Sequence, residues 1–555
     1  MKQTPVIVAL CLASLLTSSN ELMAQEANHN FEVTKNLDIF NSIYKSLDMY
    51  YVDSLDAKEL IRTGIDAMLD GLDPYTEYFP EEEMGDLKMM TTGKYGGIGS
   101  VIRMRKDSTV IIYEPYAGMP AAEAGLQVGD VLLKIDGKDL KGMVTSEVSD
   151  LLRGEPGTTF VLRVQRPGEK KTRDFKIIRK NIKVPAISYY GMVGQNGYIN
   201  LTQFTENCSA DVRKAVILLK EQGAEAIILD LRNNGGGLLD EAVKIVNLFV
   251  PKDLTIVETK GKVRATEATY ATREKPLDLD MPLVVLVNGG TASAAEIVSG
   301  SLQDLDRAVI IGSKTFGKGL VQAPRELPYN GSVKLTTGKY YIPSGRCIQK
   351  IDYKKRRDRK TSQAQADTLG QIFKTHNGRE VRDAGGITPD IEVKHDTMQN
   401  ILYYLSNDDV LIDYGTKYCQ THDKPESVAA FTLTDQDFDD FRKMALESGF
   451  KYDRMSLKSL QELKKVMQFE GYFEDAKSEF TALEQKLSHD LDTDLKKHKK
   501  DIMKLMASEI IKRYYYQAGV VEEFLKDDED LKKATEILSN TEEYRKILNT
   551  DEKEK

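Results

Sequence analysis

Histidine and cysteine are scarce in this chain, with six His and four Cys among 555 residues. That leaves little material for a His-rich metal site and rules out a scaffold built from disulfides. Apart from the first few residues, no segment is apolar enough to span a bilayer. Charge of one sign is also missing. The 77 Lys and Arg face 86 Asp and Glu, and a net charge of −9 argues against a nucleic-acid partner. What is present is ordinary globular material, 41% hydrophobic and 29% charged. At roughly 150 residues per domain it suffices for three or four domains. The composition points to chemistry done without a metal, another cofactor or a disulfide relay.

The N-terminus adds a compartment. Lys2 gives a positive start, Val6 to Leu16 are an apolar stretch, and Leu22-Met23-Ala24 ends on a small residue before Gln25. This is a signal-peptide pattern, too short for a membrane span. Residues 1–24 are therefore read as a signal peptide and the protein as exported, most simply to the periplasm. Cleavage there leaves Cys208, Cys347 and Cys419, three thiols whose spacing demands no bridge.

Along the chain the texture changes three times. Leu37, Phe40, Ile43, Leu47, Leu60, Ile61, Ile65 and Met68 fall at helical spacing, and Leu72-Asp73-Pro74-Tyr75 stops that pattern. From Gly93 short strands with glycine punctuation follow: Ile98 to Arg103, Thr109 to Tyr113, Val131 to Ile135, Thr158 to Gln165 and Arg173 to Ile178. From about Pro185 strands alternate with helices. Ala226 to Leu231, Pro282 to Val287 and Ala308 to Ile311 are apolar strands, which predicts parallel strands covered by helices. After Thr397 the chain is polar and helical. There Phe480, Leu483, Leu487, Leu491 and Leu495 form one stripe continued by Ile502 and Leu505, as in a bundle or accessory domain. The basic run Lys354 to Lys360 reads as a solvated loop.

The most informative stretch runs from Val287 to Glu296. An apolar strand enters Gly289-Gly290, and the small residues Thr291-Ala292-Ser293-Ala294-Ala295 open a helix. Such a turn lifts a side chain to the C-terminal end of a strand, where open α/β sheets place their sites. It also aims free helix N–H groups at whatever sits beside Ser293. Taken alone, a serine at a helix start is more often a cap than a nucleophile. A nucleophile needs a base, and none of the six His lies in a comparable turn. Lysine is the other candidate, and Lys318 stands between Gly317 and Gly319 just after a strand. A lysine neutral near pH 7 has come down from about 10.4, which costs about 4–5 kcal/mol and requires a desolvated pocket. Gly312 to Lys318 also fits the opening of a phosphate-binding loop. Gly319 then stands where Ser or Thr should hold magnesium, and Leu320 to Pro324 reads as strand, so that reading is set aside.

Together these residues carry a resemblance. Thr291-Ala292-Ser293-Ala294-Ala295-Glu296 followed by Phe316-Gly317-Lys318-Gly319-Leu320-Val321-Gln322 resembles the signature of the C-terminal processing peptidases, or tail-specific proteases. Asp230-Leu231-Arg232-Asn233-Asn234-Gly235-Gly236-Gly237, Tyr341 to Arg346 and Gly385 to Asp390 support it in order along the chain. Ala295 departs from the family, which commonly has a second Ser there. The resemblance implies Ser293 as nucleophile, Lys318 as general base and then acid, and Gln322 as the residue that holds the lysine amine. It implies an oxyanion hole of the Ala294 N–H and a glycine N–H, with Gly236 favoured. Glu296 would help shape the site or simply complement the helix dipole.

The segment from Gly93 to about Arg179 resembles a PDZ domain, with Ala124-Gly125-Leu126-Gln127-Val128-Gly129-Asp130 as its usual core. Gly96, Gly97, Ile98 and Gly99 would be the loop whose N–H groups capture a terminal carboxylate, the peptide adding as a strand. The expected architecture is thus a multidomain α/β protein with a crotonase-like peptidase core, a PDZ domain and helical N- and C-terminal regions. Its expected parts are a signal peptide 1–24, a helical region 25–90, the PDZ domain 91–180, the peptidase core 181–396 and a helical region 397–555. The expected function is that of a serine endopeptidase acting on proteins or peptides with free C-termini. The alternative is a catalytically inactive PDZ-containing scaffold, which would be expected to have lost Ser293 or Lys318. The resemblance allows a homodimer, and no activating partner is written in the sequence.

Overall fold

The computed structural model describes residues 28–353, 370–383, 385–395 and 397–549. The signal segment 1–24 and the basic run 354–360 lie outside the described residues. The chain divides into two compact units, residues 1–78 and 79–555.

The first unit contains helix α1 (28–50) and helix α2 (Ala57–Asp70). The Asp56 carboxylate caps α2, accepting from Lys58 N and Glu59 N at 2.8 and 3.0 Å. The stop at Asp73-Pro74 is an Asx turn: Asp73 Oδ1 accepts from the N–H groups of Tyr75 and Thr76, both at 2.9 Å.

The second unit begins with helix α3 (Met84–Thr92) and strand β1 (Lys94–Gly97). An antiparallel sheet follows, made of β2 (Ser100–Met104), β3 (Val110–Pro115) and β4 (Val131–Ile135). Helix α4 (Thr145–Leu152) comes next, and β5 (Thr159–Gln165) and β6 (Arg173–Ile178) complete the sheet. Strand β5 shows why this sheet forms. Phe160, Leu162 and Val164 are buried while Thr159, Val161 and Arg163 face solvent, a period of two with one face on a core. Strand β7 (Lys180–Lys183) returns antiparallel to β1.

The central sheet has six strands. They are β8 (Ile187–Val193), β9 (Asn196–Leu201), β10 (Ala226–Asp230), β11 (Leu283–Val287), β12 (Val309–Gly312) and a short strand (Ile391–Glu392). Only the β8–β9 pairing is antiparallel. Helices α5 (Cys208–Glu221), α6 (Leu239–Asn247) and α7 (Ala294–Asp304) pack on one face against Ile227, Leu229, Leu283, Val285 and Val287. The opposite face, with Ile228, Val284, Leu286, Val309 and Ile311, is covered by the end of the chain through Leu531, Ala534, Ile537 and Tyr544. Burial on both sides explains why β10, β11 and β12 read as continuous apolar runs. A second antiparallel sheet contains the hairpin β13 (Leu320–Glu326) and β14 (Ser332–Tyr341), with Thr255–Gly261 paired to β14.

The C-terminal region is helical, and the stripe from Phe480 to Ile502 proves not to be one face. It is divided among Lys477–Leu487, Leu491–Lys497 and a third helix starting at Lys499, with Asp490 capping the second of them. Phe480 packs in a small cluster with Leu460 and Phe473, whereas Leu495 and Ile502 belong to the main bundle core. The bundle includes α8 (Asp409–Thr421) and α9 (Lys499–Leu525). The last helices, α10 (Glu529–Ser539) and α11 (Thr541–Ile547), are not accessory, because they form the second layer of the central sheet.

Candidate active site

The site is assembled at the C-terminal ends of β10 and β11, where two loops meet. After β11, Ser293 takes φ 57° and ψ −118°, a conformation that a residue with a side chain adopts only under constraint. It is half-buried at the start of α7. Being the first residue of α7, Ala294 has an N–H without an intrahelical acceptor. The β10 loop lies against it. Gly236 has φ +100°, and a Cβ placed there would meet Ser293 Cβ at 2.7 Å and Ala294 N at 2.9 Å. Only a residue without a side chain fits between the two loops.

Side chains of four residues fasten these loops. Asn288 Oδ1 accepts from Asn233 N and from Gly290 N, both at 2.9 Å, and Asn288 Nδ2 donates to Asn233 Oδ1 at 3.0 Å. Thr291 Oγ1 donates to Leu231 O at 2.8 Å, and Asn234 Nδ2 donates to Leu201 O at 2.8 Å. Gly236 N donates to Asn234 Oδ1 at 2.9 Å, so the N–H favoured for the oxyanion is engaged inside its own loop. Gly237 differs. It bridges Phe204 through its neighbours' amide groups, which turns its own N–H the other way, and it is exposed. Among the described residues no acceptor is seen on the Gly237 N–H.

Lys318 enters from the third loop, between β12 and β13. Glu296 ties it to Ser293: its Oε2 accepts from Ser293 N and from Lys318 N, each at 2.9 Å. Its Oε1 accepts from Thr315 Oγ1 at 2.6 Å and from Gly317 N at 2.8 Å. The carboxylate is fully buried. Burial pushes it up to about 6, against the opposing pull of these four hydrogen bonds. Tyr340 closes the other side, its buried hydroxyl donating to Lys318 O at 2.7 Å and lying 3.2 Å from Ser293 O. Gln322 stands on β13 beside a bulge, with its amide nitrogen donating to Thr336 Oγ1 at 3.1 Å. The phosphate-loop reading is excluded in physical terms. The N–H groups of Gly317 and Lys318 are held by Glu296, and a strand, not a helix, follows.

Sequence reasoning left Glu296 between two roles and passed over Tyr340, Asn234 and Asn288. The two asparagines carried a signal, since each precedes the glycines of a strand-end loop. Tyr340 carried none.

In the small antiparallel domain, Gly96 and Gly97 lie inside β1, opposite Asn181 and Lys180, so the loop itself begins at Ile98. Ile98 is buried in the domain core and Gly99 has φ +69°. A groove of about 360 Å³ opens between β2 and α4, lined by Met89, Tyr95, Ile98, Ile102, Ser149 and Leu152.

A strand-end glycine loop against a constrained serine, with a lysine brought in by a buried carboxylate, is an arrangement suited to hydrolytic chemistry. Residues 195–355 match the family described as Peptidase family S41, residues 111–166 a PDZ domain, and residues 401–538 the C-terminal helical domain described as "Probable PDZ-protease". A "Carboxy-terminal-processing protease" of Bartonella bacilliformis is 39% identical over 342 residues, 60% of this chain and 78% of that protein. A "Probable CtpA-like serine protease" of Staphylococcus aureus is 38% identical over 315 residues, 56% of this chain and 62% of that protein. Among solved structures, a "photosystem II D1 C-terminal processing protease" is 27% identical, with a TM-score of 0.34 over 64% of this chain and 92% of its own. The chain belongs to peptidase family S41, the carboxy-terminal-processing proteases, and is a protease with a PDZ domain and a helical C-terminal domain. Among the described residues no helix is long and apolar enough to cross a membrane.

Proposed function

We propose that this chain is an exported serine endopeptidase that takes substrate C-terminal tails on its PDZ domain and cleaves peptide bonds with a Ser293/Lys318 dyad. The observation that carries the reading is the shared carboxylate: one Glu296 oxygen accepts from the backbone N–H of both residues. In this mechanism Ser293 Oγ attacks the scissile carbonyl while the Lys318 amine takes its proton. The lysine then gives that proton to the leaving amine, and a water attacks the acyl-enzyme by the same route in reverse. Gln322 holds the lysine amine. The oxyanion meets the Ala294 N–H and a glycine N–H of the β10 loop, each donor worth about 3–4 kcal/mol. Gly237 suits the second position better than Gly236, whose N–H is engaged by Asn234.

The PDZ groove between β2 and α4 receives an extended tail, with the loop from Ile98 to Gly99 at the carboxylate end. A protein so equipped selects free C-termini over internal loops. Export follows from the signal pattern of residues 1–24.

The test is direct. Ser293→Ala and Lys318→Ala are each expected to lower cleavage of an unfolded substrate with an apolar C-terminus by about 10⁴-fold or more. Wild-type rates in either variant would remove the dyad. Absence of cleavage by the wild type on any such substrate would leave the inactive scaffold.

A further inference from the structure

The segment Asp230-Leu231-Arg232 forms the root of the oxyanion loop, and its charges are gripped by the far end of the chain. Arg232 Nη1 donates to Asp528 Oδ1 at 3.0 Å and to Asp530 Oδ2 at 2.8 Å, and Nη2 donates to Asp528 Oδ2 at 2.5 Å. Its Nε lies 3.0 Å from both oxygens of Asp230. Asp230 also accepts from the Tyr198 hydroxyl at 2.6 Å, and His395 Nε2 stands 2.9 Å from Asp530 Oδ1. Asp230 and Asp530 are each 2% exposed. Burial raises the Asp528 carboxyl, but the hydrogen bonds and charge of Arg232 outweigh it and leave it lowered.

Three carboxylates on one guanidinium are a poor device for stability alone, because apolar replacements of buried ion clusters are often as stable. What such a cluster does well is fix geometry, the Arg fork accepting few arrangements. Here the fixed point is Arg232, the second residue after β10. Arg232 N donates to Asp230 Oδ1 at 2.9 Å, Asn233 is bound to Asn288, and Gly236 then packs on Ser293. The root is thus held from α10, and the far end of the loop meets the nucleophile.

We propose that Asp528 and Asp530 are positioning residues for the peptidase reaction: by holding Arg232 they set the glycine loop against Ser293, which makes α10 part of the catalytic architecture. This rests on the reading of Ser293 as nucleophile. Asp528 also caps α10, accepting from Leu531 N at 3.0 Å, which Asn can do as well.

The experiment measures Ser293 acylation by a fluorophosphonate probe, together with kcat and KM on a tailed substrate, in full-length Asp528→Asn, Asp530→Asn and the double variant. The expected result is a fall in acylation rate and kcat of roughly 10- to 100-fold in the double variant, with KM unchanged, the scale of a small misplacement of a reacting group. Asp528→Glu, which keeps the charge, is expected to recover part of the loss. Unchanged acylation and kcat per folded molecule, even with a lowered Tm, would reduce the cluster to a structural tie and overturn the proposal. If the Asn variants do not fold, Arg232→Lys carries the same test, since it keeps the charge and loses the fork. A Ser293→Ala control separates the two ideas. Probe labelling of that variant sinks the nucleophile reading, whereas wild-type labelling in the Asn variants sinks only the positioning role.

Discussion

Among single residues, Glu296 has the most to hold together. It is fully buried, it accepts four hydrogen bonds, and two of these come from the residues assigned to attack and proton transfer. Burial raises it from 4.5 to about 6, and the sign of that shift separates stability from activity. The folded protein binds this proton more tightly than the unfolded chain does. The stability it contributes is therefore complete below about 4.5 and is lost as the pH rises through about 6. The geometry needs the opposite state, because a protonated carboxyl turns one acceptor into a donor and releases an N–H. Wild-type kcat/KM is expected to fall with one proton from the base and with a second below about pH 6, steepening the acid limb. In Glu296→Gln the second proton is absent, the limb keeps a single slope, and kcat is lower at every pH. A pH–rate profile of the two proteins checks this, and identical slopes would remove Glu296 from the proton inventory.

Elements bring these residues together by ending at one edge. Strands β10 and β11 are parallel neighbours, so the loops after both emerge on the same side, and Gly236 marks where they touch. Gly236→Ala would place a Cβ 2.7 Å from Ser293 Cβ in a left-handed backbone, so the loops must part. The expected loss in kcat/KM is about 100-fold or more, the scale of a lost oxyanion donor. Comparing kcat/KM with Tm tells displacement of the loops from general unfolding. This edge was legible in the sequence because its information is local: apolar strand, paired glycines, small residues, helix. The PDZ strands were legible for the same reason, since β5 alternates between buried and exposed residues. What was not legible depends on distance. Tyr340 reaches Ser293 O from a hairpin strand of no special composition. The contacts of Arg232 with Asp528 and Asp530 join residues 296 and 298 positions apart in the chain. Helices α10 and α11 have ordinary amphipathic patterns, and nothing in such a pattern says which sheet it will cover. The broken stripe after Phe480 fails for a related reason: helical spacing survives a short break such as Ser488 to Asp490, although the face does not.

For the molecule as a whole, the helical domain holds the PDZ domain as well as the peptidase core. Arg105 Nη1 and Nη2 donate to Asp413 of α8 at 2.7 and 2.9 Å, and Lys106 N donates to Asp409 at 3.0 Å. The centre of the seam is a buried charge cluster. Lys512 of α9 lies 2.8 Å from Glu509 and 3.7 Å from the centroid of the Tyr113 ring, and Arg513 lies 2.7 Å from the same Glu509. Glu114 of β3 faces this cluster, with Oε1 lacking a hydrogen-bond partner among the described residues. Burial raises the Glu114 carboxyl, Lys512 pulls it down and Glu509 pushes it up. Glu509 is also pushed up by burial, but Arg513 and Lys512 outweigh that and leave it lowered. Lys512→Met keeps the length and the packing while removing a cation that serves both carboxylates. Glu509 retains Arg513, whereas Glu114 loses the cation that lowers it and becomes costlier to ionise. The expected destabilisation is about 3 kcal/mol at pH 8, the scale of breaking a buried pair. The sign of the pH dependence follows from the two carboxylates. As the pH falls, Glu114, whose carboxyl is raised, takes up its proton in both proteins, and its attraction to Lys512 is lost from the wild type too, while Glu509, held low, keeps its charge longer. The difference between wild type and Lys512→Met, read from urea denaturation, should therefore be largest at pH 8 and shrink toward pH 4. A difference independent of pH would mean that the Lys512 ammonium acts on the Tyr113 ring and not on Glu114, because Met keeps the length and packing of the side chain and only the charge is removed.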